Sequence, residues 1–293
     1  MFRTILFPTD FSAQAERAMD CLSALKSTGV EEVVLVHAID TQPAMDVDGL
    51  GLGVLERWQE EAEHKLGEAA GRLKAEGLIV KRLLKTGPPS LAIVEAALEN
   101  GVSLIVIGSH GKGYIEEMLL GSTTEEVLRR SPIPVLVEKF RSVEAAGKGA
   151  WKLVSQKLFT KILYPTDFSQ TAEHVQDLIK HLKGVGAEEV IVLHVQDFNG
   201  LRRYLPKRVD EVSQLNSGRL EAIRGELEAA GLKVKTVLRE GPPFQEIMKV
   251  ADEEGVSLIA MGSTGRSMVD EALIGSVSGK VVRMAAQPVL LVK

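Results

Sequence analysis

Two stretches of the chain carry residue types and spacings suited to holding a phosphate. Residues 108–122 read GSHGKGYIEEMLLGS and residues 262–276 read GSTGRSMVDEALIGS. In each, Gly-x-x-Gly is followed after nine residues by Gly-Ser, giving Gly108, Gly111, Gly121 and Ser122, then Gly262, Gly265, Gly275 and Ser276. Each stretch follows an apolar run, LIVIG or LIAMG, that reads as a buried strand, and each leads into helical spacing. A turn that leaves a parallel strand and feeds a helix N-terminus offers unpaired backbone N–H groups and the positive end of a helix dipole. Glycine there admits close approach of an anion and positive φ. The reading is a nucleotide-binding loop in duplicate; the alternative is a long loop that merely needs flexible residues.

Other candidates for chemistry surround these loops. Asp10 and Asp167, each in a Pro-Thr-Asp triplet (Pro8, Thr9 and Pro165, Thr166), could accept hydrogen bonds from a ribose or adenine, or could serve the helix caps at Ser12 and Ser169. Lys112 and Arg266 could meet β- or γ-phosphates, or stand as solvated loop charges. His110 could act as a general base, but the equivalent Thr264 cannot, which argues against a shared catalytic mechanism. His37 and His194, near the ends of apolar runs, read as packed and hydrogen-bonded. No cluster has metal-ligand spacing, no Ser-His-Asp set is suggested, and no Gly-Lys-Ser/Thr closes the loops as in a Walker A motif.

The elements that position these residues are written twice. TILFPTDFS at 4–12 returns as KILYPTDFS at 161–169, VVLVHAID at 33–40 as VIVLHVQD at 190–197, and KTGPP at 85–89 as REGPP at 239–243. GVSLIVIGS at 101–109 returns as GVSLIAMGS at 255–263, and PVLVEK at 134–139 as PVLLVK at 288–293. The order is preserved, so one domain has been duplicated. Within the first copy, strands are expected near 3–8, 32–38, 79–84, 103–107 and 134–138, with helices near 12–28, 55–76, 89–100 and 122–131. Pro89 and Pro243 suit a first helical turn. Short apolar runs alternating with longer helical patterns give βαβ units and a parallel sheet covered on both faces, a doubly wound α/β fold. Ligands in such sheets bind beyond the carboxyl ends of the strands, where the strand order reverses.

The domains are placed at 1–140 and 158–293, with 141–157 as a linker in which Trp151 is expected to dock on one of them. A formal charge of −5 does not suggest a nucleic-acid binder. The one cysteine, Cys21, reads as the buried face of a helix and allows no disulfide within the chain. No run of eighteen apolar residues and no signal-peptide core is seen, so no membrane association and a cytoplasmic address are expected. The halves differ at 41–53, rich in glycine, and at 198–208, which carries Arg202, Arg203, Lys207 and Arg208. Either segment could be a lid or a solvated loop.

The ordered set of PTDFS, VLVHAID, GPP, the glycine pattern and a terminal PVLVxK strand resembles the universal stress protein family in its tandem two-domain form. The resemblance implies two doubly wound domains, each a five-stranded parallel sheet of order 3-2-1-4-5, and dimerisation through the fifth strand. That means an intramolecular pseudo-dimer, with a further homodimer open. It also implies ATP binding as a structural or signalling role in stress, with Mg²⁺ carried by the phosphates. By position, it places adenine near Pro8 and the Ala38 backbone, with Thr9 and Asp10 close by. Phosphates would rest on Gly108, Ser109, His110, Gly111, Lys112 and Gly113, and beyond Gly121 on Ser122, Thr123 and Thr124. The matching second-half residues are Pro165, Thr166, Asp167 and Val195, then Gly262, Ser263, Thr264, Gly265, Arg266 and Ser267, and beyond Gly275, Ser276, Val277 and Ser278. Glu125 and Glu126 stand where the second half has Gly279 and Lys280, so the second site is expected to be at least as tight. Two rival readings are a slow ATP-hydrolysing or adenylate-forming enzyme that needs a partner or substrate, and a nucleotide-free interaction module.

Overall fold

Runs of Val, Ile and Leu too short for a buried helix become strands, and the amphipathic stretches between them become helices. A computed structural model describes residues 2–20, 22–26, 29–41, 51–109, 120–139, 158–198, 206–265 and 274–293. The chain divides into two units, Met1–Gln156 and Lys157–Lys293. The first contains β1 (Thr4–Pro8), α1 (Ala13–Asp20), α2 (Leu22–Leu25), β2 (Glu32–Ile39), α3 (Gly51–Ala75), β3 (Ile79–Thr86), α4 (Pro89–Glu99), β4 (Leu104–Gly108), α5 (Ser122–Arg130) and β5 (Val135–Glu138). The second contains β6 (Lys161–Pro165), α6 (Gln170–Leu182), β7 (Glu189–Gln196), α7 (Pro206–Ala229), β8 (Lys233–Glu240), α8 (Pro243–Glu254), β9 (Leu258–Gly262), α9 (Ser276–Met284) and β10 (Val289–Val292).

All strand pairs within each unit are parallel, in the order β3-β2-β1-β4-β5 and β8-β7-β6-β9-β10. Connections from the first to the third strand of a unit run one way across the sheet, and those to its fourth and fifth strands run back. Right-handed crossovers then put the helices of the two sets on opposite faces. Each unit is thus a doubly wound α/β domain, and the order reverses between β1 and β4 and between β6 and β9. The central strands are almost wholly buried: Ile5, Leu6, Ile162, Leu163, Leu258 and Ile259 are 0% exposed. The outer strands β3 and β8 contain only half-buried and exposed residues.

Several local expectations meet their residues. Ser12 and Ser169 accept hydrogen bonds from the amides of Ala15 and Ala172, at 3.1 and 3.3 Å, as N-cap side chains do. Pro89 and Pro243 open α4 and α8. Over 12–28, two helices are described where one was expected. Cys21, the linker with Trp151, segments 42–50 and 199–205, and loop residues 110–119 and 266–273 lie outside the described residues. Among the described residues, no helix is long and apolar enough to cross a membrane.

Candidate functional site

The reversal point of the second unit opens into a cavity of about 320 Å³, within the size range of small-ligand pockets. Its walls come from five separate stretches. The β6 end supplies Pro165, Thr166 and Asp167, the β7 end supplies Leu193 and Val195, and the bend after β9 supplies Gly262, Thr264 and Gly265. The start of α9 supplies Gly275, Ser276, Val277 and Ser278. Ala172, Pro243, Ile247 and Met261 complete it. Eleven of the residues expected from sequence in this half therefore meet in one crevice. Ser263 is buried behind them with no hydrogen-bond partner for its hydroxyl, and Arg266 and Ser267 lie outside the described residues.

Sequence reasoning missed Leu193, Ala172, Ile247 and Met261, which carry only the signal of core residues. Pro243 had a usable one, since the Gly-Pro-Pro motif recurs in both halves. Together with Val195 and Pro165 these side chains give the cavity an apolar side. The bend after β9 and the start of α9 add polar main chain to the lining. Helix α9 starts at Gly275, which has no side chain to cap the first-turn amides, and an N-terminus in that state is an anion site.

The glycines work by proximity. Gly275 has φ −59°, Gly121 has φ −62°, and neither Gly262 nor Gly265 is left-handed, so the expected positive φ is not found at these positions. A Cβ on residue 265 would stand 2.7 Å from Asp167 Oδ2. One on residue 262 would stand 3.0 Å from Thr171 Cγ2 and 3.2 Å from the Thr264 carbonyl, and one on residue 275 would stand 3.3 Å from the Ser263 carbonyl. The bend is closed by the Gly275 amide donating to the Ser263 carbonyl at 2.7 Å, and the Ser278 hydroxyl donates to the Gly262 carbonyl at 2.9 Å. Ser278→Ala is expected to lower the stability of this unit by about 1 kcal/mol, the net worth of one such bond. Calorimetric melting should read this as a drop of a few degrees.

Of the two roles expected for the Pro-Thr-Asp aspartates, the structure shows the one at the start of the helix. Asp167 Oδ1 accepts from the Ser169 amide at 3.1 Å and Asp10 Oδ1 from the Ser12 amide at 3.0 Å. In the second unit the other oxygen, Oδ2, lies against Gly265 at the cavity wall. His37 and His194 are hydrogen-bonded through Nδ1 to the carbonyls of Thr9 and Thr166, both at 2.7 Å.

In the first unit, Pro8, Thr9, Asp10 and Ala38 occupy the ends of β1 and β2, and Gly108 ends β4. Gly121 precedes α5 without a side-chain cap, and its amide donates to the Ser109 carbonyl at 2.9 Å. Thr124 Oγ1 donates to the Gly108 carbonyl at 2.9 Å, as Ser278 does to Gly262. Ser122 and Thr123 fill the first turn of α5. His110, Gly111, Lys112 and Gly113 lie outside the described residues. A separate cavity of about 330 Å³ is lined by Ala38 with Phe11, His37 and Trp58.

Of the two acids expected near the phosphates, Glu126 has its own partners. Glu126 is clasped by Arg129 and Arg130, each at 2.8 Å, and hydrogen bonds from these guanidiniums hold its carboxyl down at about 2. Its charge is offset on its own helix, which leaves Glu125 as the difference from Gly279.

A family model described as the universal stress protein family matches residues 1–139 and again 158–293. A universal stress protein of Methanocaldococcus jannaschii is 39% identical over 155 residues, spanning 46% of this chain and 96% of that protein. Universal stress protein Slr1230 of Synechocystis is 24% identical over 295 residues, covering 98% of this chain and 88% of the relative. The crystal structure of a universal stress protein from Archaeoglobus fulgidus matches with a TM-score of 0.78 at 26% identity, over 100% of this chain and 99% of that one.

Proposed function

The chain belongs to the universal stress protein family, and from that membership we propose that each of its units binds ATP, held as a structural or signalling ligand of a stress response in the cytoplasm. The observation that supports this best is the cavity of the second unit. Its apolar side, with Leu193, Val195, Ile247 and Met261, suits a planar base. Its polar part, the uncapped start of α9 and a bend where Gly262, Gly265 and Gly275 add no side chain of their own, suits phosphate oxygens. Asp167 lines the same cavity beside Gly265, where it would meet a ribose in this reading. Among the described residues no group of three or more His, Cys, Asp or Glu could hold a metal ion. Mg²⁺ would therefore enter on the phosphates and water, as is usual for that ion.

The second site is at least as tight as the first in this reading, because Gly279 stands where the first unit has Glu125 in the helix that faces the phosphates. Titration of the full chain with ATP and Mg²⁺ in a calorimeter is expected to give saturable heat with two binding steps. A folded protein that gives no heat would remove the proposal, and a tighter step assigned to the first unit would remove the ranking of the sites.

A further inference from the structure

The Pro-Thr-Asp turn that brings Asp167 to the cavity is held in an unfavourable backbone state. Phe168 has φ 59° and its first-unit counterpart Phe11 has φ 58°, and among the described residues these are the non-glycine residues at positive φ. A bulky residue in the left-handed region is held there by its surroundings. The same set of contacts surrounds both. The Thr166 amide donates to the Leu193 carbonyl at 2.8 Å, and the Thr9 amide to the Val36 carbonyl at 2.9 Å, extending each ladder by one residue. Thr166 Oγ1 accepts from the Phe168 amide at 3.0 Å, and Thr9 Oγ1 from the Phe11 amide at 3.1 Å. The rings of Phe168 and Phe11 pack on His194 and His37 with centroids 4.4 Å apart. On α7, Arg219 lies 5.3 Å from the Phe168 ring, and on α3, Lys65 lies 5.8 Å from the Phe11 ring.

We propose that His194, and His37 in the first unit, are positioning residues for the nucleotide sites, an inference that rests on the ATP reading above. Each donates Nδ1–H to the threonine carbonyl that opens the turn. A carbonyl can only accept, so the contact at 2.7 Å places the proton on Nδ1. The peptide of Thr166 is then tied at both ends to β7, through its amide to Leu193 and through its carbonyl to His194. The chain beyond it must turn at once, which forces Phe168 left-handed and sets the Asp167 carboxylate against Gly265. The histidine ring also supplies the surface on which Phe168 rests. Without the Nδ1–H donor the carbonyl of Thr166, a residue 6% exposed, loses its partner in a buried place. The turn is then free to relax away from the cavity.

The test uses the full chain with His194→Phe, which keeps an aromatic surface and lacks the donor, and His194→Asn, whose Nδ2 stands where Nδ1 stands. With ATP and Mg²⁺ as the probe, His194→Phe is expected to weaken the second-unit step about tenfold, and His194→Asn to restore most of it. Hydrogen exchange of the nucleotide-free proteins is expected to show faster exchange at the Phe168 and Ser169 amides in His194→Phe and near wild-type rates in His194→Asn. Unchanged exchange at those amides in His194→Phe overturns the inference whatever the protein binds. So does an Asn variant as impaired as the Phe variant. Absence of ATP binding by the wild type would instead strike the functional proposal, with the exchange pattern still deciding the role of the histidine. The same pair at His37 repeats the measurement in the first unit should His194→Phe fail to fold.

Discussion

Gly265→Val is expected to abolish ATP binding by the second unit and leave the first unit's binding step in place. The bare Cβ of any side chain at 265 falls 2.7 Å from Asp167 Oδ2, a separation at which something must move. Asp167 has little freedom to yield, because its Oδ1 accepts from the Ser169 amide and Ser169 in turn caps α6 through Ala172. Relief must come from the bend after β9 moving outward or from the Pro-Thr-Asp turn giving way. Either displaces a wall of the cavity by on the order of an ångström, and valine adds two methyls beyond its Cβ. Misplacements of that size cost about a hundredfold where geometry matters. Calorimetry should therefore show one of two binding steps lost, and Gly265→Ala should fall between. Two intact steps in the valine variant, with the fold retained, would show that the close contact of Asp167 and Gly265 has no part in binding.

Leu163→Ala is expected to destabilise the second unit by about 3 kcal/mol, the middle of the range for emptying a fully buried leucine site. Leu163 is 0% exposed on β6, paired in register with Ile191 of β7 and Ile259 of β9, both also 0% exposed. Rigid strands on either side of it cannot collapse into the cavity. Exchange of the Val190 and Val192 amides through opening of this unit should accelerate by about a hundredfold. Ile79→Ala, on an outer strand at a residue 64% exposed, should change stability by under about 0.5 kcal/mol. Equal effects of the two substitutions would contradict the burial pattern described for the sheets.

Much of the fold was legible because it is written in local terms. The alternation of short apolar runs with amphipathic stretches placed the strands to within two residues, and the repeated motifs gave two domains of one kind. Ser12 and Ser169 were legible as caps and Pro89 and Pro243 as helix openers, since each acts on amides or dihedrals within its own turn. The strand reversal that gathers Pro165, Val195, Gly262 and Ser276 follows from connection order in a doubly wound sheet. The apolar wall was not legible, because Leu193, Ile247 and Met261 have the same hydrophobic character as residues that face a helix.

By itself, then, the sequence determined the elements, their duplication, and the small residues at the bends, all of which depend on interactions a few residues long. Only the tertiary structure decided what those bends lie against. Asp167 and Gly265 lie roughly a hundred residues apart in the chain, and their contact exists because β6 and β9 are neighbours. The glycines proved necessary for room rather than for a left-handed backbone, while the left-handed residue is Phe168, a type with no propensity for it. Propensity reflects what a residue does alone; the conformation of Phe168 is imposed by hydrogen bonds from an adjacent strand, which no local reading contains.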